Sequence, residues 1–163
     1  MCGCLGLYRN HRIIEQGNIK AYGNRFIGPI RYDYISIGTP EKPWDGQSMF
    51  SIILHDNTHL QSSDFSLEQI EAHTTNSWIY PEVRGGFPKG SKSFSTPNFR
   101  FLFSESDQLV SFSARVPKKD KSAGPTLLGT YDGSIFYNLP LNEAQVHKLF
   151  GTNFIVSSYD FRL

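Results

Sequence analysis

The sequence has little cysteine: two residues in 163, at positions 2 and 4. A chain of this length removes roughly 70% of its unfolded surface from water when it folds. It therefore needs no disulfide framework, and we expect its stability to come from a hydrophobic core. The composition agrees, because 39% hydrophobic residues, with 13 Phe, 8 Tyr and 2 Trp, are too many for a disordered chain.

Long apolar runs and an excess of charge are absent as well. No run approaches the roughly 18 apolar residues of a membrane-spanning helix, and no basic region followed by an apolar core marks a secretory signal. Sixteen Lys and Arg against fifteen Asp and Glu leave a net charge of +1, which gives no field to attract nucleic acid. We therefore expect one cytoplasmic domain over residues 1–163, with a flexible segment at 1–10 and no nucleic-acid partner.

Short strands dominate what is present. Apolar or alternating runs separated by turn residues recur along the chain, which is typical of antiparallel sheets. Three hairpins are predicted in "RIIEQGNIKAY", in "FRFLF" with "LVSFSARV", and in "LLGTYDGSIFY", where Asp132-Gly133 indicates a type I′ turn. In "IRYDYISI" the alternation changes phase between Tyr34 and Ile35, which indicates a bulge or a strand buried on both faces. The sequence predicts a mainly β protein, an antiparallel β-sandwich or partly open barrel of seven to nine strands.

Two short helices are predicted at about residues 64–73 and 142–150. In the second, Asn142 and Gln145 have the spacing of a capping box, and Gly151 can end the helix. In the first, Ser66 and Gln69 have the same spacing, with Leu67 and Ile70 facing inward.

The two cysteines admit three chemistries. If Met1 is removed, the α-amino group of Cys2 can act as a base toward its own thiol. The start "MCG" resembles that of class II glutamine amidotransferases, and this resemblance implies that Cys2 attacks an amide. It covers three residues, and two short helices do not provide that family's two helical layers. Alternatively, Cys2 and Cys4 are acylated and hold the protein at a membrane, or they form a metal or redox pair.

A second group of polar residues follows the most apolar strand, in "LHDNTH". His55 and His59, with Asp56 beside them, could form a metal-assisted site. Polar residues at the end of a strand are the simpler interpretation, because the H-x-x-x-H spacing brings two ligands together mainly on a helix. We therefore expect no metal or other cofactor, and we keep a hydrolase or transferase using Cys2 or the His55 and His59 pair as the alternative function.

Glycine and proline cluster in loops that carry aromatic and basic residues. In "WIYPEVRGGFPKGSKSF" these residue types are interleaved, as they are at protein interfaces, where Trp, Tyr and Arg supply much of the binding energy. A single-stranded nucleic-acid platform would use the same types. We favour a small binding protein, for example an immunity or inhibitor protein, that presents residues 38–46 and 78–94 to a protein partner. The predicted contact residues are Trp44, Trp78, Tyr80, Arg84, Phe87 and Lys89.

Overall fold

The structure is a computed structural model that describes residues 8–25, 28–74, 76–117 and 123–162. The helices are α1 (Leu67–His73) and α2 (Glu143–Phe150), and a 3-10 turn covers Ser62–Asp64. The strands are β1 (Tyr8–Gln16), β2 (Ile19–Arg25), β3 (Arg31–Ile37), β4 (Phe50–Ile53), β5 (His59–Gln61), β6 (Asn76–Ile79), β7 (Lys92–Ser95), β8 (Phe99–Phe103), β9 (Leu109–Arg115), β10 (Leu127–Thr130), β11 (Phe136–Asn138) and β12 (Ile155–Arg162).

The strands form two antiparallel sheets, neither of which closes into a barrel. The large sheet has the order β12-β1-β2-β3-β9-β8-β7-β6, and the small sheet has the order β11-β10-β4-β5. The predicted mainly β, sandwich-like fold is therefore confirmed. The described residues contain twelve strands, more than the seven to nine predicted. Several are only three or four residues long, and such short strands give no clear alternation in the sequence.

The strand pairing follows the predicted hairpins. They are present as β1–β2, β8–β9 and β10–β11. The phase change in β3 is a bulge at Asp33, since Tyr22 lies opposite Tyr34 whereas Gly23 lies opposite Tyr32. The extra residue turns the side chain of Tyr32 into the core together with those further along the strand.

The prediction of a type I′ turn at Asp132-Gly133 is wrong. Only Gly133 of the two has a positive φ, whereas a type I′ turn needs both. The Asp132 carboxylate instead accepts hydrogen bonds from the Thr130 hydroxyl at 2.6 Å and from the Ser134 N–H at 3.0 Å. These bonds hold a longer connection between β10 and β11.

The two helices begin at the predicted caps. The Gln145 N–H donates to Asn142 at 2.8 Å, and the Asn142 N–H donates back to Gln145 at 3.0 Å, which completes the capping box of α2. The Ser66 hydroxyl accepts from the Gln69 N–H at 3.3 Å, so α1 begins at Leu67 rather than at 64. Within the described ranges, no helix is long and apolar enough to span a membrane.

The core lies between the sheets and is rich in aromatic rings. One cluster of buried side chains includes Ile35 and Phe112 from the large sheet and Ile52 and Leu128 from the small sheet. The ring of Phe112 lies within 6.3 Å, centroid to centroid, of five other aromatic rings. Because such rings bury large apolar areas, they provide a rigid base for the opposite face of the large sheet.

The outer face of the large sheet positions the candidate site. Along β8, Phe99 and Phe101 point into the core, so Arg100 and Leu102 point outward. Residues that lie directly opposite each other in an antiparallel pair share a face. The outer face therefore also carries the β3 and β9 serines paired with these positions, Ser36, Ser111 and Ser113.

Candidate binding groove

Residues 38–46, which we name the proline loop, fold over one side of the outer face. The Gly38 N–H donates to the Asn18 carbonyl at 2.9 Å, and the Trp44 N–H donates to the Val110 carbonyl at 2.9 Å. The side-chain amide of Asn18 also donates to the Pro43 carbonyl at 2.8 Å. Both ends of the loop are therefore fixed to the sheet, and Pro40 and Pro43 form one wall of a groove.

Residues 80–91, which we name the aromatic hairpin, form the other wall. The Tyr80 N–H donates to the Ser91 carbonyl at 2.9 Å, and Arg84 and Phe87 exchange two backbone hydrogen bonds of 3.1 and 3.0 Å. Gly85 and Gly86 between them have φ values of 57° and 83°, the pair of positive values that a type I′ turn requires. The sequence predicts only an exposed loop here, although Gly-Gly is itself a signal for this turn.

Arg100 attaches the aromatic hairpin to the sheet. Its guanidinium donates to the Tyr80 hydroxyl at 2.7 Å and to the Ser93 hydroxyl at 3.1 Å. The same guanidinium lies 5.4 Å from the centre of the Phe87 ring, which stacks on the Tyr80 ring at 5.0 Å. Cation–π contact and hydrogen bonds thus hold both aromatic rings in one orientation.

Two neighbouring cavities occupy the space between these walls. The larger, of about 580 Å³, is lined by the prolines of both walls, by Lys89 and Glu105, and by the apolar side chains Leu102 and Val110. The smaller, of about 190 Å³, is lined by Phe87, Arg100 and hydroxyl-bearing side chains of the outer face. Pro40 and Leu102 contribute to both cavities, so together they make one groove.

Four of the predicted contact residues lie at or beside the groove. Lys89 lines the larger cavity and Phe87 the smaller, and Tyr80 packs behind Phe87. Trp78 is on the edge strand β6, directly opposite Ser93, which is directly opposite Leu102. Its side chain therefore lies on the outer face of the large sheet, where it is 55% exposed. Arg84 is exposed at the tip of the aromatic hairpin and lines neither cavity.

Trp44 lies on the other side of the proline loop, against the core. Its ring is 5.9 Å from that of Phe50 and 5.7 Å from that of Phe65. Its indole N–H is buried and has no hydrogen-bond partner among the described residues. The structure thus separates Trp44 from the other predicted contact residues. Its partner contact stays a prediction.

Sequence reasoning missed Arg100, which lines the smaller cavity and attaches the aromatic hairpin to the sheet. Its signal was a charged residue inside the apolar strand "FRFLF", since a strand with one solvated face can place a cation only on that face. The serines of β3 and β9 could have been placed on the outer face in the same way, because these polar residues alternate with buried ones along their strands.

His59 and Asp56, which the sequence suggests as metal ligands, make contacts with other side chains. The ring of His59 lies 5.3 Å from that of Phe136 on the small sheet, and the Asp56 carboxylate lies 2.7 Å from Nδ1 of His73. Among the described residues, no three His, Cys, Asp or Glu side chains gather in a way that could hold a metal ion. Cys2 and Cys4 lie outside the described residues.

We predict an acid-sensitive contribution from Asp56. Hydrogen bonds from the Thr58 hydroxyl, the His73 ring and the Thr58 N–H lower the pKa of its carboxyl from 3.8 to about 2. Because the pKa is lower in the folded state than in the unfolded state, these bonds stabilise the fold at pH values above about 4. This stabilisation is lost as the pH falls from about 4 through about 2. The side chains of His73 and Asp56 are 27% and 38% exposed. Because solvent weakens such a contact, Asp56→Asn should lower the free energy of unfolding by no more than about 1 kcal/mol at pH 6.

Urea denaturation of wild type and Asp56→Asn at several pH values measures this contribution. The difference in the free energy of unfolding should shrink between about pH 4 and pH 2. A difference that grows on acidification would contradict the assignment.

Comparison with known proteins identifies no family for this chain. No family model matches the sequence, and no curated protein or solved structure matches it. The function is therefore inferred from the geometry of the groove.

Proposed function

We propose that the protein is a small binding protein that holds part of a protein partner in the groove between the proline loop and the aromatic hairpin. An immunity or inhibitor protein is an example of such a binding protein. The observation that carries the proposal is the convergence of the two loops over Leu102. They are far apart in the sequence, yet they enclose a cavity of about 580 Å³ above a rigid sheet.

The chemistry of the groove supports recognition rather than a solvated surface. Its floor and walls are mainly apolar, and the stacked Tyr80 and Phe87 rings lose little conformational freedom on binding because Arg100 already holds them. Preorganised aromatic and Arg side chains of this kind supply much of the energy at protein interfaces.

The surface beside the groove favours a macromolecular partner over a small molecule. Trp78 and Val83 are 55% and 73% exposed. A ligand that only fills the cavities leaves these apolar side chains in water, whereas a protein partner can cover them together with the groove.

Site-specific photo-cross-linking tests the proposal. A photoreactive amino acid replaces Lys89 in the groove and, as a matched control, the exposed Lys148 on α2. In cells of the source organism, we expect one protein adduct from position 89 and none from position 148. Equal capture from both positions would contradict the proposal.

The captured protein is then purified and its affinity measured by calorimetry. Trp78→Ala and Arg84→Ala should each weaken binding at least about tenfold, or about 1.4 kcal/mol, whereas Lys148→Ala should leave it unchanged. Unchanged affinity in both Trp78→Ala and Arg84→Ala would reject the proposed binding surface.

A further inference from the structure

We infer that the groove recognises an extended acidic and apolar segment, with a carboxylate side chain at Arg100 and an apolar side chain two residues away in the larger cavity. This inference rests on the proposed function, because it specifies which segment of the protein partner the groove takes. It has three supports: a cation without a salt bridge and a row of hydroxyls without hydrogen-bond partners, both judged within the described part of the chain, and the spacing of Arg100 and Leu102 along β8.

Arg100 has hydrogen-bonding capacity that the fold does not use. Its Nε and Nη2 donate to Ser93 and Tyr80, whereas Nη1 has no acceptor and no acidic side chain forms a salt bridge with it among the described residues. A guanidinium that is already oriented and partly withdrawn from water favours a planar, negatively charged acceptor. A carboxylate provides one and can accept two parallel N–H bonds.

Serine hydroxyls extend this donor set across the sheet. Ser36 lies directly opposite Ser113, which lies directly opposite Arg100, so neighbouring side chains in this row are about 5 Å apart. Together with Ser111, these serines line the smaller cavity, and none of their hydroxyls has a hydrogen-bond partner within the described part of the chain. One cation among neutral donors matches the single charge of a carboxylate.

The larger cavity differs from the smaller one in charge, because its charged side chains have opposite signs, and in polarity, because more of its surface is apolar. Lys89 and Glu105 both line it and carry opposite charges, and the remaining surface includes three prolines, Leu102 and Val110. An apolar side chain gains most from such a surface, because it removes apolar area from water without leaving an unpaired charge.

The spacing of Arg100 and Leu102 sets the spacing of the two ligand side chains. Arg100 lines only the smaller cavity, and Leu102 also lines the larger one. The two residues share one face of β8, two positions and therefore about 7 Å apart. Side chains on one side of an extended peptide repeat at the same distance. The expected segment therefore carries Asp or Glu at one position and an apolar residue two positions away.

A titration followed by NMR tests the inference with defined probes. The first is a capped seven-residue peptide with glutamate third, serine fourth, leucine fifth and glycine elsewhere; in the second, glutamine replaces the glutamate. We expect the first peptide to shift the amide resonances of Arg100, Leu102 and Ser113 and to bind at least about tenfold more tightly than the second.

Two variants locate the effect. In Arg100→Gln, the two peptides should bind equally and weakly, whereas in the charge-matched control Lys148→Gln the tenfold preference should remain. If Arg100→Gln does not fold, comparison of the two peptides on the wild-type protein still decides the question.

The outcomes separate this inference from the proposed function. Equal binding of the two peptides, shifts confined to another surface, or no binding of either would each overturn the acidic and apolar specificity. None of these results bears on capture of a protein partner from position 89, which the cross-linking experiment decides by itself.

Discussion

We expect Gly38→Ala to lower the free energy of unfolding by about 3 kcal/mol. Gly38 has a φ of +80°, which side chains rarely adopt, and an added Cβ would overlap the Val110 carbonyl oxygen and lie 2.7 Å from the Trp44 nitrogen. Those two atoms form the hydrogen bond that fixes the end of the loop to β9. The substitution therefore strains the backbone and opens that bond.

Gly46→Ala is the matched control in the same loop. Its φ is +76°, but a Cβ there would meet no atom of the described residues within 4 Å, so only the backbone penalty of about 1 kcal/mol applies. Urea denaturation of both variants measures the difference. Equal destabilisation would mean that the proline loop does not approach β9 as described, and the groove would lose its first wall.

We expect Trp44→Ala to cost about 3 kcal/mol, because the side chain is packed against Phe50, Phe65 and Phe112. Trp78→Ala is the control: the side chain is 55% exposed, so its removal should change stability by no more than about 0.5 kcal/mol. The two tryptophans are thus expected to have opposite profiles, Trp44 in stability and Trp78 in partner binding. A stability loss of similar size in both variants would contradict this division.

Trp44→Phe extends the test. In the part of the chain that the structure describes, the Trp44 indole N–H has no hydrogen-bond partner to lose, so Phe should replace most of the packing at a cost of about 1 kcal/mol. Trp78 is then the remaining tryptophan in the chain, and its fluorescence should change when the partner covers it. No change on saturation with the partner would contradict a contact at Trp78.

The elements that the sequence predicts correctly are those determined by neighbouring residues. The caps of α2 depend on Asn142 and Gln145, three positions apart, and the hairpin β8–β9 depends on the alternation of phenylalanines with polar residues. Both signals act within one element or one turn, so tertiary packing adds to them without reversing them.

The features that the sequence does not predict depend on contacts between distant segments. Trp44 and Trp78 look alike as aromatic loop residues, and only packing against Phe50 and Phe65 distinguishes the first. Arg100 becomes part of the candidate site because Tyr80 and Phe87 fold back over it. At Asp132-Gly133, side-chain hydrogen bonds of the aspartate override the turn preference of the dipeptide.

Amide hydrogen exchange decides whether the groove is the binding surface. It is measured with and without an excess of the purified partner that cross-linking identifies. If the groove is the binding surface, exchange should slow at amides of exposed residues in the proline loop and the aromatic hairpin, such as Glu41 and Lys89, and remain unchanged in β5, β11 and α1. Slowed exchange confined to the small sheet or α1, with both loops unaffected, would contradict the account.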